Sequence, residues 1–508
     1  MIAKVFSAVP RGVNALRVQV EVDAHPGLPA LTVVGLPDAA VKEARERVLA
    51  AIRHLGCQLE TRSIVVNLSP AEERKEGALL DVAIAGAVLA AAGLLPAPPA
   101  DLWLLGELSL DGMLRPVRGV LPIVEAATAQ GAGVLIPREN LAEAEVVRGA
   151  RLYPAGTLSE VVRHLRNEAA IAPIAGGNGH RDVDDGGIGL DLADVAGQEH
   201  AKRALEIAAA GGHHLLFIGP PGAGKTMLAQ RLPGILPPLA EDEALATTKV
   251  YSVAPGMPRP HGLIWRRPFR APHHTISAAG LAGGGTVPRP GEISLAHNGV
   301  LFLDEITEFR RDVLEVLRQP MESGVVAIAR AAGSLTFPAS FQLVAAANPC
   351  PCGHLGDPRR ECRCSPLEIR RYRARLSGPL LDRIDLQLEV PAVPYRDLAR
   401  ALPGEASHAV RSRVVAARAR QAQRLAGTGT RTNAGLAPAK VRRECRTDAE
   451  GDRLLELATS KLALSARAIH RILRVARTIA DLEGAAQLAA RHVAEAIAYR
   501  SLDRLVQV

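Results

Sequence analysis

The spacing of apolar residues divides the chain into regions of different architecture. In the first third, residues 15–22 and 63–67 have strand-like patterns, whereas residues 39–54 and 80–92 repeat apolar positions with helical spacing. Strands that alternate with helices are typical of a compact α/β domain. We predict such a domain over residues 1–166.

A polar stretch and a second apolar pattern follow. Residues 167–189 are rich in Gly, Asn and Asp, which is the composition of a linker. Short apolar runs then lie at 214–218, 300–303 and 343–347, with a helix predicted at 227–232. Continuous apolar runs of this length favour a parallel sheet covered on both faces, which predicts an α/β domain at 190–391.

The last part of the chain has helical spacing throughout. We predict a separate helical domain over residues 392–508, with helices at 407–425, 449–462, 466–481 and 491–503.

Composition and charge narrow the class of protein. Hydrophobic residues make up 48% and charged residues 22%, an ordinary soluble balance. The longest apolar run, 82–95, is shorter than the ~20 residues that span a bilayer, and the N-terminus lacks a signal-peptide core. We therefore expect a cytoplasmic protein with no membrane segment.

The C-terminal region is basic. Residues 366–508 contain 26 Lys and Arg against 15 Asp and Glu, in a chain of net charge +8. This excess is compatible with a polyanionic partner such as nucleic acid, and equally with solvated arginine-rich helices.

One motif carries specific chemistry. Eight residues match the phosphate-loop pattern G-x-x-x-x-G-K-S/T after an apolar strand and before a helix: Gly219, Pro220, Pro221, Gly222, Ala223, Gly224, Lys225 and Thr226. In this pattern backbone N–H groups surround the β-phosphate, the lysine contacts the β- and γ-phosphates, and the hydroxyl ligates Mg²⁺. The motif predicts that ATP and Mg²⁺ bind here.

Further polar residues follow two of the predicted strands. Asp304 and Glu305 end the run at 300–303, and we expect Asp304 to hold Mg²⁺ and Glu305 to polarise the attacking water. Asn348 follows the run at 343–347, where ligands bind in open α/β sheets. Phosphoryl transfer also needs positive charge; Arg383 and Arg467 are candidates, although either could be a surface ion-pair residue.

These motifs, in this order, resemble those of AAA+ ATPases. The strings at residues 194–198, 269–274, 348–353 and 376–385 resemble more closely the ComM (YifB-type) family of magnesium-chelatase-like proteins. The resemblance spans nearly the whole chain. It implies a homo-hexameric ring with ATP at subunit interfaces and ATP-driven movement on branched DNA.

The resemblance also implies roles for single residues. Asn348 is similar to the sensor-1 position, Arg383 to the arginine finger that acts on a neighbour's ATP, and Arg467 to sensor 2. A hairpin over 325–341 would place Arg330 near its tip as a DNA contact, or as a solvated turn residue. The glycine-rich stretch 279–288 is a candidate mobile pore loop.

The first domain resembles the Lon protease fold but departs from its catalytic pattern. The positions of the protease's nucleophilic serine and its lysine partner fall at Leu79 and about Leu121. Without a hydroxyl and an amine there is no such dyad. We expect a non-proteolytic domain that serves as a ring collar or a platform for DNA.

Four cysteines form two C-x-C pairs: Cys350, Cys352, Cys362 and Cys364. Four thiolates on one loop can hold a structural Zn²⁺, although the usual spacing is C-x₂-C. Reduced free cysteines are the alternative, and His354 is a spare candidate ligand.

Three functions compete at this stage. They are a DNA branch-migration motor, the ATPase subunit of a metal chelatase that acts through partner subunits, and an AAA+ protease or unfoldase. Leu79 and Leu121 disfavour the third. The Lon-like domain and the basic C-terminal region favour the first over the second.

Overall fold

The computed structural model describes most of the chain. The residues outside the described part are 1, 29, 60–61, 76, 178–188, 286–287, 331–332, 358–359, 395–403, 463 and 501–508, and so is the side chain of Arg330. The predicted DNA contact at Arg330 therefore lies outside the described residues.

An eight-stranded sheet organises the first part of the chain. Its strands lie in the spatial order Ile174–Ala175, Arg151–Ala155, Gly133–Pro137, Leu102–Leu104, Ile2–Arg11, Asn14–Pro26, Arg62–Ser69 and Ala30–Val34. The longer helices of this region are Ala39–His54, Asp81–Ala91, Val120–Ala129 and Leu158–Leu165. Asp81–Ala91 is buried along its whole length against the central strands, which explains its apolar composition.

The sheet extends into the stretch predicted as a linker. Ile174–Ala175 pairs antiparallel with Arg151–Ala155, and residues 178–188 lie outside the described part. The linker prediction over 167–189 is therefore wrong at its beginning, because a two-residue edge strand is too short to leave a detectable apolar period.

A five-stranded sheet forms the second unit. Its strands lie in the order Phe269–Arg270, Val300–Leu303, Gln342–Ala347, Leu215–Ile218 and Leu386–Glu389, and every pairing is parallel. Its longer helices are Glu199–Gly211, Lys225–Ile235 and Glu241–Val253. Leu215–Ile218, which comes first of these five strands in the sequence, lies between Gln342–Ala347 and Leu386–Glu389. Several strand ends that carry polar residues therefore meet at one edge of the sheet.

The C-terminal region is helical, as predicted. Its longer helices are Ser407–Arg424, Pro438–Glu444, Ala449–Leu462, Ala466–Glu483 and Ala490–Ala498. Their apolar faces share a core with one face of the parallel sheet. The predicted fold class, an α/β protein with a parallel phosphate-loop sheet and a helical C-terminal region, is confirmed; the domain boundary at residue 391 stays a prediction.

Two segments between the motifs have local structure. Val325–Arg330 pairs antiparallel with Gly333–Pro338, which confirms the predicted hairpin. The glycine-rich stretch at 279–288 contains the end of a short helix, Ala278–Ala282, and a strand, Gly283–Gly284, that pairs with Arg289–Pro290. It is therefore more ordered than a free loop at its described residues.

None of the helices in the described ranges combines the length and the apolar character needed to cross a bilayer.

Candidate nucleotide site

The phosphate loop lies between the strand Leu215–Ile218 and the helix Lys225–Ile235. Gly224 precedes the helix with a φ of +87°, a left-handed conformation that glycine adopts without a Cβ clash. The loop thus delivers the free N–H groups of a helix N-terminus to one place, and such a place binds phosphate.

Lys225 connects the loop to the neighbouring strand. Its buried Nζ donates to the carbonyl oxygens of Gly219 at 2.6 Å and Pro220 at 3.0 Å, and to Oδ1 of Asn348 at 3.2 Å. Burial lowers the pKa of Lys225 below its ordinary value, although the nearby carboxylates of Asp304 and Glu305 partly offset this effect. A phosphate beside this amine would favour its charged form.

Two oxygen ligands meet next to this lysine. The hydroxyl of Thr226 donates to Oδ2 of Asp304 at 2.6 Å, across 78 positions of sequence. Hydroxyl and carboxylate oxygens are the hard ligands that Mg²⁺ takes beside phosphate oxygens. Both side chains therefore fit a Mg²⁺–triphosphate group.

Glu305 has an unusual backbone. Its φ is +48°, uncommon for a residue with a side chain, and its N–H donates to Oδ1 of Asp304 at 3.0 Å. Such strain concentrates at functional sites, where the surrounding structure holds it. The turn leaves the Glu305 side chain exposed at the mouth of the cleft.

The cleft itself has a volume of about 380 Å³. Its walls come from the phosphate loop, from the Asp304–Glu305 pair and from the strand end at Asn348. They are formed by Pro221, Gly222, Ala223, Gly224, Lys225, Thr226, Met227, Asp304, Glu305, Ala346, Ala347 and Asn348. The structure thus brings the predicted phosphate, magnesium and water-orienting residues to one cavity.

A second cavity of about 280 Å³ continues from the other side of the phosphate loop. It shares Gly222, Ala223, Gly224 and Met227 with the cleft and is also lined by Asp194, Val195, Ala196, Gln198, Leu228 and Val393. Nε2 of Gln198 donates to Pro391 O at 2.6 Å, which connects the segment before the helix Glu199–Gly211 to the segment after the strand Leu386–Glu389. The position of this second cavity and its largely apolar lining suit a nucleobase.

The sequence alone assigns no role to the residues that line only this second cavity. The string 194–198 was a signal, since it carries part of the family resemblance. It contains no chemistry that identifies a base pocket before the fold places it beside the phosphate loop.

The two predicted arginines lie elsewhere in the same chain. Arg383 is buried, donates to Pro379 O at 2.6 Å and pairs with Glu322, while its Nε has no hydrogen-bond partner. Arg467 is exposed on the first turn of Ala466–Glu483. Among the described residues that line the two cavities, neither arginine is present.

The four clustered cysteines also come together. One ligand atom from each lies within 4.8 Å of the others, and the loop that carries them follows Asn348 directly.

Comparisons with known proteins cover the whole chain. Family models described as "Magnesium chelatase, subunit ChlI", "Subunit ChlI of Mg-chelatase" and "Magnesium chelatase, subunit ChlI C-terminal" match residues 191–398, 20–140 and 404–500. Competence protein ComM of Haemophilus influenzae is 46% identical over 515 residues, which cover 100% of this chain and 99% of that protein. The chain belongs to the ComM/YifB family of magnesium-chelatase-like proteins.

Other relatives of this ComM/YifB chain refine the comparison. The uncharacterized protein YifB of Escherichia coli is 45% identical over 500 residues, covering 97% of this chain and 96% of that protein. Lon protease 2 of Bacillus subtilis is 29% identical over 126 residues, or 24% of this chain, in the N-terminal segment. Both the predicted family and the Lon-like character of the first domain are thereby confirmed.

Proposed function

We propose that this ComM/YifB protein is an ATP-hydrolysing ring motor that acts on branched DNA. The contact between Thr226 and Asp304, beside the buried amine of Lys225, carries the ATPase part. A nucleotide-binding protein needs only that contact, whereas the strained, exposed Glu305 next to it favours hydrolysis.

Each side chain of the cleft has one proposed task. Lys225 contacts the β- and γ-phosphates, and Thr226 and Asp304 hold Mg²⁺, which would neutralise charge on those phosphates. Glu305 accepts a hydrogen bond from the attacking water and orients it toward the γ-phosphorus. Asn348, already bonded to Lys225 at 3.2 Å, positions that water or the γ-phosphate.

The positive charge on the far side of the γ-phosphate would come from a second subunit. Arg383 lines neither cavity of its own chain, and its partner Glu322 is more than half exposed. In a homo-hexameric ring this arginine would leave Glu322 and contact the neighbour's γ-phosphate. Arg467, at a helix N-terminus, is proposed to sense the γ-phosphate of the ATP that its own chain binds.

DNA is the proposed track of the motor. The name of the Haemophilus relative connects the family to competence. Many arginines of the basic region form ion pairs within the chain; Arg424 and Arg477, for example, both pair with Asp481. Arg442, Arg446 and other exposed basic side chains of the C-terminal helices remain candidates for phosphate contacts.

The first domain is proposed to be a non-proteolytic collar. Leu79 and Leu121, at the positions expected for a catalytic serine and lysine, are both buried apolar side chains. We propose a cytoplasmic location, and Zn²⁺ only as a structural ion at the four cysteines, with no part in the phosphate chemistry.

A chelatase motor is the second candidate. It is favoured by the descriptions of the three matching family models, all of which concern a magnesium-chelatase subunit. In that case ATP hydrolysis would depend on partner subunits and would be unaffected by DNA.

A labelled four-way junction separates the two functions. We expect the wild-type protein to convert the junction to duplex arms only with ATP and Mg²⁺, and both Lys225→Ala and Glu305→Gln to fail. Junction binding should weaken steeply with salt, since phosphate contacts release counterions. An intact ATPase that leaves the junction unchanged at every salt concentration would refute the DNA motor and favour the chelatase-like one.

A further inference from the structure

The four-cysteine cluster has the dimensions of a metal site. Sγ of Cys350 lies 3.4 Å from Sγ of Cys352 and 3.7 Å from that of Cys362, and Cys352 and Cys362 are 3.7 Å apart. A tetrahedral Zn²⁺ with Zn–S bonds of about 2.3 Å requires S···S separations of about 3.8 Å. The thiols are too far apart for disulfides, at about 2.05 Å, and close enough to share one ion.

The described part of the loop between the cysteines has little regular structure. Over the described part of 350–364 there is neither a helix nor a strand. Its internal backbone hydrogen bonds include Gly353 N to Cys350 O and Asp357 N to His354 O, at 3.0 and 3.1 Å. His354 is not a member of the cluster. A structural ion supplies cross-links that such a loop cannot obtain from a core.

The same loop lies against the phosphate loop that lines the nucleotide cleft. It begins after Asn348 and Pro349, and a Cβ placed on Gly353 would lie only 2.6 Å from Cδ of Pro221 in the phosphate loop. Arg373, on the helix that follows, donates to Pro349 O at 3.4 Å. An interaction that holds the cysteines in place therefore also restrains Gly353 beside Pro221 and the segment that follows Asn348.

We propose that Cys350, Cys352, Cys362 and Cys364 bind one Zn²⁺ as thiolates, and that this ion holds the loop against Pro221. Binding releases the proton of each thiol that was protonated and changes no oxidation state. The ion positions Asn348 and the phosphate loop and has no contact with the nucleotide. The metal site stands on the thiol geometry alone, whereas its effect on the cleft rests on the proposed ATP site.

Metal analysis of the purified full-length protein tests the site itself. We expect about one zinc per chain by mass spectrometry after dialysis against a weak chelator. Cys352→Ser and Cys362→Ser should lose the metal, while Cys57→Ser, which alters a half-buried cysteine in the first domain, should retain it. Substitution with Co²⁺ should give the visible spectrum of a tetrahedral thiolate complex in the wild type and in Cys57→Ser, but not in Cys352→Ser or Cys362→Ser. Wild-type protein without zinc after refolding in its presence would overturn the proposal.

Nucleotide binding then tests the coupling. Calorimetric titration with a non-hydrolysable ATP analogue should show an affinity about tenfold weaker for Cys352→Ser than for Cys57→Ser. Unchanged affinity in zinc-free Cys352→Ser would overturn the coupling but leave the metal site standing. Lys225→Ala should keep its zinc and lose the nucleotide; zinc in a wild-type protein that binds no nucleotide would refute the proposed ATP site instead.

Discussion

At the scale of single residues, the buried His297 and the half-buried His214 join strands and loops through neutral rings. Nδ1 of His214 accepts the N–H of Leu343 at 2.9 Å, and Nδ1 of His297 accepts the N–H of Ser340 at 3.1 Å. A protonated imidazole has no lone pair at Nδ1, so both bonds require the neutral form. Burial lowers the pKa of each ring to about 4.

These histidines predict acid sensitivity. The unfolded chain takes up protons near the ordinary pKa of 6.5, and the folded chain only near 4, so stability falls as the pH decreases from about 6.5 to about 4. For His297 alone, the free energy of unfolding should fall by about 2 kcal/mol between about pH 7.5 and pH 5.

Urea unfolding of His297→Asn at both pH values checks this prediction. The Asn Oδ1 can accept the same N–H without titrating, so the variant should lose about 2 kcal/mol less than the wild type on acidification. Equal losses in the two proteins would show that His297 does not contribute.

The cleft residues could be predicted one by one because each belongs to a short contiguous motif. Lys225, Thr226, Asp304 and Glu305 follow strands, and the sheet order brings those strand ends together. Glu322 could not be predicted as the partner of Arg383, since 61 positions separate them and only the tertiary fold joins them. No local pattern encodes such a contact.

At the scale of elements, the helix Ala466–Glu483 is fixed to the parallel sheet through a buried carboxylate. Arg471 donates to Oδ1 of Asp385 at 2.6 Å, and His213 lies 3.3 Å from Oδ2. Although burial opposes them, Arg471 and His213 hold the pKa of Asp385 below its usual range. The helix also contacts the sheet through Thr478, 2.8 Å from Nε2 of His213.

Two arginines one turn apart on this helix should therefore behave differently. Arg471→Ala leaves Asp385 buried without its main partner and should cost about 3–5 kcal/mol of stability. Arg467→Ala changes an exposed side chain and should leave stability nearly unchanged while slowing phosphate release. Urea unfolding and the rate of phosphate release, measured on both variants, check this difference. Slower release without lost stability in Arg471→Ala would contradict it, and so would lost stability without slower release in Arg467→Ala.

Two glycines of the cysteine loop form a matched pair. Gly353 and Gly356 have φ values of +80° and +79°, but only at Gly353 would a Cβ approach Pro221; at Gly356 nothing lies within 4 Å. Alanine costs similar backbone strain at both, about 1–2 kcal/mol. Gly353→Ala should in addition displace the phosphate loop and weaken ATP-analogue binding about tenfold relative to Gly356→Ala. Equal affinities by calorimetry would mean that the contact does not constrain the loop.

Element prediction succeeded where the apolar period is long enough to detect. The helix Ala39–His54 and the strand Val300–Leu303 have the predicted bounds. Phe269–Arg270 and Ile174–Ala175 were missed, because two residues at a sheet edge leave no period and pair only when the rest of the sheet is formed.

At the scale of the whole molecule, the first domain is joined to the ATPase region by specific contacts. The helix Glu241–Val253 supplies Ser252, which donates to the buried Glu143 at 2.5 Å, and Lys249, which pairs with Glu125 at 2.5 Å. Leu239 and Ala244 are part of the first domain's apolar core. Composition indicated separate domains, but it could not show this shared surface, since the groups that meet lie more than 100 positions apart.

The proposed ring of identical subunits predicts complementation between inactive chains. If Arg383 acts on a neighbour's ATP, Arg383→Ala and Glu305→Gln each inactivate different halves of a shared site. Mixing equal amounts should rebuild about one site in four, since a chain with intact Glu305 then meets a neighbour with intact Arg383. Phosphate release that stays at the level of the separate variants after subunit exchange would exclude a role in trans.

The central claim is that Lys225, Thr226, Asp304 and Glu305 form one ATP-hydrolysing site. The release of inorganic phosphate from ATP, with and without Mg²⁺, tests it most directly on the wild type and on Glu305→Gln. The account predicts Mg²⁺-dependent turnover by the wild type, and in Glu305→Gln a rate at least about 100-fold lower with retained nucleotide binding. Turnover by Glu305→Gln at the wild-type rate, or none by the wild type with or without DNA, would contradict it.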